Sequence, residues 1–146
     1  MGKMSLLLVG ASALVWAHGA SAIAEETSAF DGTWAVSFYC PTYDKEGDHA
    51  KGYRQQFSAQ VKGGQLSGGH GAEGEPGSYV LAGPIAPDGS AMLRLRGVVG
   101  SESHAINEAP RGKPYTYRVK AQFEAGSGKG ERLGQRRCDF EFKRQS

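Results

Sequence analysis

A chain of 146 residues, 39% of them hydrophobic, has room for one domain with one core and not for two. Lys and Arg number 17 against 15 Asp and Glu, a net charge of +2 that hides an uneven distribution along the chain. Two cysteines leave a single possible intrachain pairing, which excludes a cysteine-stapled miniature scaffold.

The first segment carries processing signals. Met1–Lys3 is a short basic start, and Leu6–Trp16 is an apolar run too short to cross a bilayer as a helix of about 20 residues. Small residues follow, and Ala22-Ile23-Ala24 ahead of Glu25 fits an Ala-x-Ala cleavage site, with Ala20-Ser21-Ala22 as second choice. Residues 1–24 are therefore expected to be a signal peptide, and 25–146 a single domain, periplasmic or secreted, with no transmembrane segment after cleavage. The other reading of these residues is an uncleaved N-terminal anchor.

Strand patterns fill the rest. Gly32–Cys40 alternates, with Trp34, Val36, Phe38 and Cys40 on one face. Tyr53–Val61 sets Tyr53, Phe57, Ala59 and Val61 against Arg54, Gln56, Ser58 and Gln60, and Gln65–Gly69 is a weaker strand. Tyr79–Ile85 and Ala91–Gly97 form a hairpin across Ala86-Pro87-Asp88-Gly89, whose Pro and Gly carry turn chemistry. Gly97–Pro114 is long for a connection and reads as a lid, a partner-binding loop or a packed surface loop. Tyr115–Phe123 alternates most clearly, Tyr115, Tyr117, Val119, Ala121 and Phe123 against Thr116, Arg118, Lys120 and Gln122. Gly126–Gly130 is expected to turn the chain. Gly134 is expected to mark a bulge in a last strand bearing Cys138, Phe140 and Phe142 on one face.

No segment from residue 25 onward shows a 3.6-residue apolar period. The expected fold is all-β, a small antiparallel meander barrel of about seven to eight strands, with a two-sheet β-sandwich as the alternative. Export would place Cys40 and Cys138 in an oxidising compartment, where a disulfide is expected. Free thiols or a metal pair are the alternatives, but neither cysteine has a CxxC partner or an adjacent His. The bridge would close a loop of about 100 residues, worth roughly 4–5 kcal/mol by chain entropy. It would join first and last strands, as a closed barrel without exposed edges requires.

The stretch Asp31-Gly32-Thr33-Trp34, followed by alternation, resembles the first strand of calycin barrels such as lipocalins and avidins. Over more of the chain, Phe30–Trp34, Cys40, the glycines from 63 to 89 and Cys138 before Lys143-Arg144 resemble small exported proteobacterial β domains of unassigned function. Bacterial metalloprotease inhibitors share a Gly-x-Trp strand and one disulfide, but their cysteines lie close together in sequence. The calycin resemblance implies a barrel with a ligand-holding interior; the second implies no activity.

Catalytic signals are absent, and no enzyme, cofactor or metal is expected. His49, His70 and His104 fall in separate predicted loops without metal-ligand spacing. Asp44–His49 alternates acids like a calcium loop, but its Gly stands two places early and Gln55 replaces the bidentate Glu. Gly68–Gly77 lacks the Lys and the helix of a phosphate cradle.

Two binding hypotheses remain. Outward strand positions carry Arg54, Lys62, Arg94, Arg96, Arg118 and Lys120, while acids gather in loops and at the chain ends. Neighbouring strands would cluster Arg94, Arg96, Arg118 and Lys120, at a cost between like charges that an anionic partner would offset. The leading expectation is therefore a non-catalytic module whose anion-binding residues are Arg54, Arg94, Arg96, Arg118 and Lys120. Its partner would be an anionic polysaccharide, a lipid headgroup or an acidic protein. Nucleic acid is not expected, because these strands lack interleaved aromatic residues for base stacking. The alternative is a small-ligand carrier whose aromatic interior includes a pocket of Trp34, Tyr53, Gln55, Tyr79 and Tyr117. A protease-inhibitor-like module acting through its long loops comes third.

Overall fold

A computed structural model describes residues 28–146. The expected signal peptide lies outside the described residues. Eight strands form a closed antiparallel barrel: β1 (Gly32–Cys40), β4 (Tyr53–Lys62), β5 (Gln65–His70), β6 (Tyr79–Pro84), β7 (Ser90–Val98), β8 (Pro114–Phe123), β9 (Ser127–Arg132) and β10 (Asp139–Arg144). Between β1 and β4 the chain makes a separate hairpin of β2 (Tyr43–Lys45) and β3 (Asp48–Ala50). A 3-10 turn, Glu102–His104, interrupts the connection from β7 to β8. The strands run as a meander, and β1 closes it by pairing with β4 on one side and β10 on the other. Closure occurs in one barrel and not as two stacked sheets.

Alternation dictates which side chains fill the interior. Trp34, Val36 and Phe38 point inward from β1, opposite Ala59, Phe57 and Gln55 of β4 and opposite Arg144, Phe142 and Phe140 of β10. Leu81, Leu93, Leu95 and Val119 complete a dry middle layer. The Cys40–Cys138 disulfide, across a sequence separation of 98, ties the end of β1 to the residue preceding β10.

Two local expectations need correction. Gly126–Gly130 is not simply a turn, because Ser127–Arg132 forms strand β9. The inward positions of β9 are Gly128 and Gly130, which hide the alternation because they have no side chains. A Cβ at Gly128 would stand 3.0 Å from the Phe123 ring, and one at Gly130 would stand 3.1 Å from both Ala121 and Val119. Their bareness makes room for the neighbouring strand's core. Gly134, at φ +114°, lies in the loop between β9 and β10 and makes no bulge in the last strand. The acidic run Asp44–His49 is the β2–β3 hairpin, turned by Glu46 (φ 54°) and Gly47 (φ 82°), the paired positive φ of a two-residue hairpin loop. Its alternating acids follow from strand periodicity.

Asp31-Gly32-Thr33-Trp34 seals one end of the barrel. The Trp34 Nε1–H donates to Phe30 O at 2.8 Å, and its ring meets Phe123 edge-on at 5.3 Å. The Asp31 carboxylate accepts the N–H groups of Gly63 and Gly64, both at 3.0 Å, which caps the β4–β5 turn. The Gly64 hydrogen bond, aided by that of Gly63, holds this carboxyl below the usual range. Arg144 donates to the carbonyls of Ala29, Ala125 and Asp31, with its guanidinium 5.8 Å from the Trp34 ring centroid. The opening motif is a plug and its fastening.

Candidate functional site: a chamber at the open end

The other end of the barrel is built differently. Where β1, β4, β6 and β8 approach the Cys40–Cys138 end, their inward positions carry Phe38, Tyr53, Gln55, Tyr79 and Tyr115, and these line a cavity of about 320 Å³. The long β7–β8 connection folds over it, so that Val99, His104, Ala105, Ile106 and Ala109 form the roof. Arg132, from the end of β9, and Arg136, from the β9–β10 loop, complete the lining. The aromatic walls pack edge to face: Phe38 meets Tyr53 at 6.0 Å and Tyr79 at 5.7 Å.

The roof is fastened by hydrogen bonds. Lys51 N–H donates to Ser103 O at 2.8 Å, and Asn107 N–H donates to the Asp48 carboxylate at 2.7 Å. The central fastening is Arg136, only 2% exposed. Its Nη1 donates to His104 O, and its Nη2 donates to Pro41 O at 3.0 Å and Lys51 O at 2.9 Å. One side chain thus joins the roof to the chain on both sides of the β2–β3 hairpin. Burial lowers the Arg136 pKa, opposed by the nearby Tyr53.

Several buried polar atoms here have no partner among the described residues. These are the hydroxyls of Tyr79 and Tyr117 and the Nε atoms of Arg132 and Arg136. The Arg132 guanidinium lies 4.0 Å from the Tyr117 ring centroid, and Arg136 lies 5.2 Å from that of Tyr53. Neither arginine forms an ion pair among the described residues. Burial pushes the Tyr79 phenol up to about 12 and raises Tyr53, Tyr115 and Tyr117 as well. All four phenols stay protonated at neutral pH and can donate. An unmet buried donor costs about 1–3 kcal/mol, so such a cluster is unfavourable while it stays unpaired.

The residues expected to form a pocket divide between the two ends. Tyr53, Gln55 and Tyr79 line the chamber, and Tyr117 stands beside it with its ring against Arg132. Trp34 is not part of the chamber, because it plugs the sealed end. Arg132 and Arg136 escaped the sequence reading. The signal for Arg132 was its register, two residues beyond the inward Gly130, and it was invisible while β9 passed for a turn. The three histidines stay apart: His49 faces Asp44 on the hairpin, His70 lies beside Tyr79, and His104 abuts Tyr53.

On the outside, β7 and β8 are neighbours and Arg94 stands directly opposite Arg118. Arg96 faces Thr116. Lys120 faces Met92 on one side and, across β9, the acidic Glu131. Arg54 lies elsewhere on the wall, on β4, with its guanidinium 5.1 Å over Tyr39. The basic face therefore narrows to Arg94, Arg96 and Arg118, with Lys120 at an acidic border.

Architecture and chamber together define a small closed barrel with one plugged end and one roofed, ligand-sized end. Compared with known proteins, the chain matches no family model, no curated protein and no solved structure at significant similarity.

Proposed function

We propose that this domain is an exported, non-catalytic carrier that holds a small molecule in the open-end chamber. The observation that carries this reading is the set of buried donors around Tyr79, Tyr117 and Arg132 that the protein itself leaves unpartnered. The chamber is near the small end of the range for ligand pockets, about 300–1,000 Å³, with apolar walls and few polar groups. Export after cleavage at Ala24, to the periplasm or beyond, is supported by the disulfide and by the apolar run ahead of the cleavage site. No helix among the described residues is long and apolar enough to cross a membrane.

Native mass spectrometry of the protein expressed with its own leader, and purified without denaturant, tests both parts. The expected result is loss of residues 1–24 and a small-molecule adduct that Ala109→Trp, which fills the chamber from the roof, abolishes. An adduct that persists unchanged in that variant contradicts the carrier reading.

A second reading keeps the basic face as a docking surface for an anionic polysaccharide, lipid headgroup or acidic protein. It is favoured by one observation: Arg94 and Arg118 sit opposite each other with no ion-pair partner among the described residues. Retention on an anionic polysaccharide matrix that falls to background in Arg94→Gln/Arg118→Gln supports it, and equal retention of the two proteins ends it.

A further inference from the structure

We infer that the chamber's ligand is a small organic carboxylate with an apolar body, anchored by the Arg132 guanidinium and the Tyr79 hydroxyl. This inference rests on the carrier reading and specifies its ligand.

The polar groups facing the chamber are strongly unbalanced. Arg132 and Arg136 bring two positive charges to one small volume, and no carboxylate lines it. Charge drawn away from water is costly unless it is paired, so a chamber lined by the buried Arg136 and the part-buried Arg132 favours an anion over a cation. The two arginines are not equivalent. Arg136 has already committed its Nη groups to the carbonyls of His104, Pro41 and Lys51 and serves as a positioning residue for the roof. Among the described residues Arg132 makes no side-chain hydrogen bond, and its Nε is buried without a partner there. Its guanidinium carbon lies over the Tyr117 ring at 4.0 Å from the centroid, and its Nε–H is left to donate. A guanidinium edge matches the two oxygens of a carboxylate.

Tyr79 adds a second donor. Its residue is 5% exposed, its hydroxyl has no partner, and it lines the same cavity. Because the phenol stays protonated, it can donate to an anion without adding negative charge of its own. The remaining walls include the rings of Phe38, Tyr53 and Tyr115 and the roof residues Ala105 and Ile106, which present flat and aliphatic surface, with Gln55, Ser101 and His104 as the other polar residues. A group that is charged all round would leave these walls without a complementary surface. A carboxylate on an aromatic ring or short alkyl chain satisfies both halves of the chamber.

Isothermal titration of the full-length purified protein with phenylacetate, octanoate and their neutral primary amides tests this, with inorganic phosphate as a control. The expected result is binding of at least one acid about tenfold or more tighter than its amide, and no binding of phosphate. Arg132→Gln should abolish that acid-over-amide preference, while Arg132→Lys retains part of it. Equal affinity for acid and amide, both lost in Ala109→Trp, overturns the carboxylate inference and leaves the carrier reading intact. Acid binding that survives Ala109→Trp, or no binding of any probe, overturns the inference at its base. Tight phosphate binding removes the apolar body from the inference and so overturns it too. A thermal-melt control on Arg132→Gln separates lost recognition from lost folding.

Discussion

The two ends of the barrel use the same device for different purposes. At each, an arginine donates to three backbone carbonyls and rests against an aromatic ring: Arg144 over Trp34 at one end, Arg136 against Tyr53 at the other. At the sealed end every polar side chain of the plug finds its partner, including the Trp34 indole and the Asp31 carboxylate. At the open end the buried atoms without partners accumulate, on Asp48, Tyr79, Tyr117, Arg132 and Arg136. The contrast teaches where stability has been maximised and where it has been withheld. A protein with the means to satisfy its polar groups at one end leaves them unmet at the other, and an arrangement of that kind suits a ligand.

The largest break in this comparison is at the plug. Trp34→Ala removes a fully buried ring and its hydrogen bond, and is expected to lower stability by about 3–5 kcal/mol in urea denaturation. The two clamps come next and separate more finely. Arg136→Met strands part-buried carbonyls and should cost about 1–3 kcal/mol, whereas Arg144→Met frees two exposed carbonyls and one part-buried one and should cost less, about 1 kcal/mol. Only Arg136→Met should raise amide hydrogen exchange across residues 101–109, because only Arg136 holds the roof. Equal exchange in the two variants would dissolve the distinction between the ends.

Smaller and opposite in sign is Tyr79→Phe. It deletes a buried hydroxyl with no partner, so the thermal midpoint should hold or rise slightly, by up to about 1 kcal/mol in stability, while ligand affinity falls. Loss of a partnered polar group costs stability at either end; loss of the unpartnered Tyr79 hydroxyl does not.

The smallest effect concerns pH. Asp31 has a folded pKa below its unfolded value near 3.8, so its contribution is present above that value and is lost as pH falls through the lower folded pKa. Asp31→Asn should flatten the acid limb of stability below about pH 4 and leave chamber binding at neutral pH untouched.

Much of this was legible in the chain because alternation is a direct consequence of strand geometry. Trp34, Phe38, Tyr53, Phe57, Tyr117 and Phe123 all point inward as their spacing requires, and the two cysteines meet where first and last strands adjoin. Strand β9 was hidden because its inward residues are glycines, chosen by the crowding of Phe123 and Val119 and not by hydrophobicity. Losing that strand had two consequences. Arg132 dropped out of the interior, and Glu131 dropped out of the wall beside Lys120, so the basic face looked broader than it is. Arg136 was illegible for another reason: its partners are backbone carbonyls from positions 41, 51 and 104, a convergence that only the folded chain creates. Trp34 joined the wrong group because periodicity assigns a side chain to the interior without saying which end it serves.

On the carrier proposal the chamber end binds and the sealed end supports. Nitrogen–proton NMR of the labelled protein, titrated with phenylacetate, reads both ends in one spectrum. Shifts are expected in the Arg132 Nε–H signal and in the amides of residues 99–109, with the Trp34 indole N–H unmoved. Shifts confined to the outer residues of β7 and β8, or a spectrum that phenylacetate leaves unchanged, would contradict that proposal.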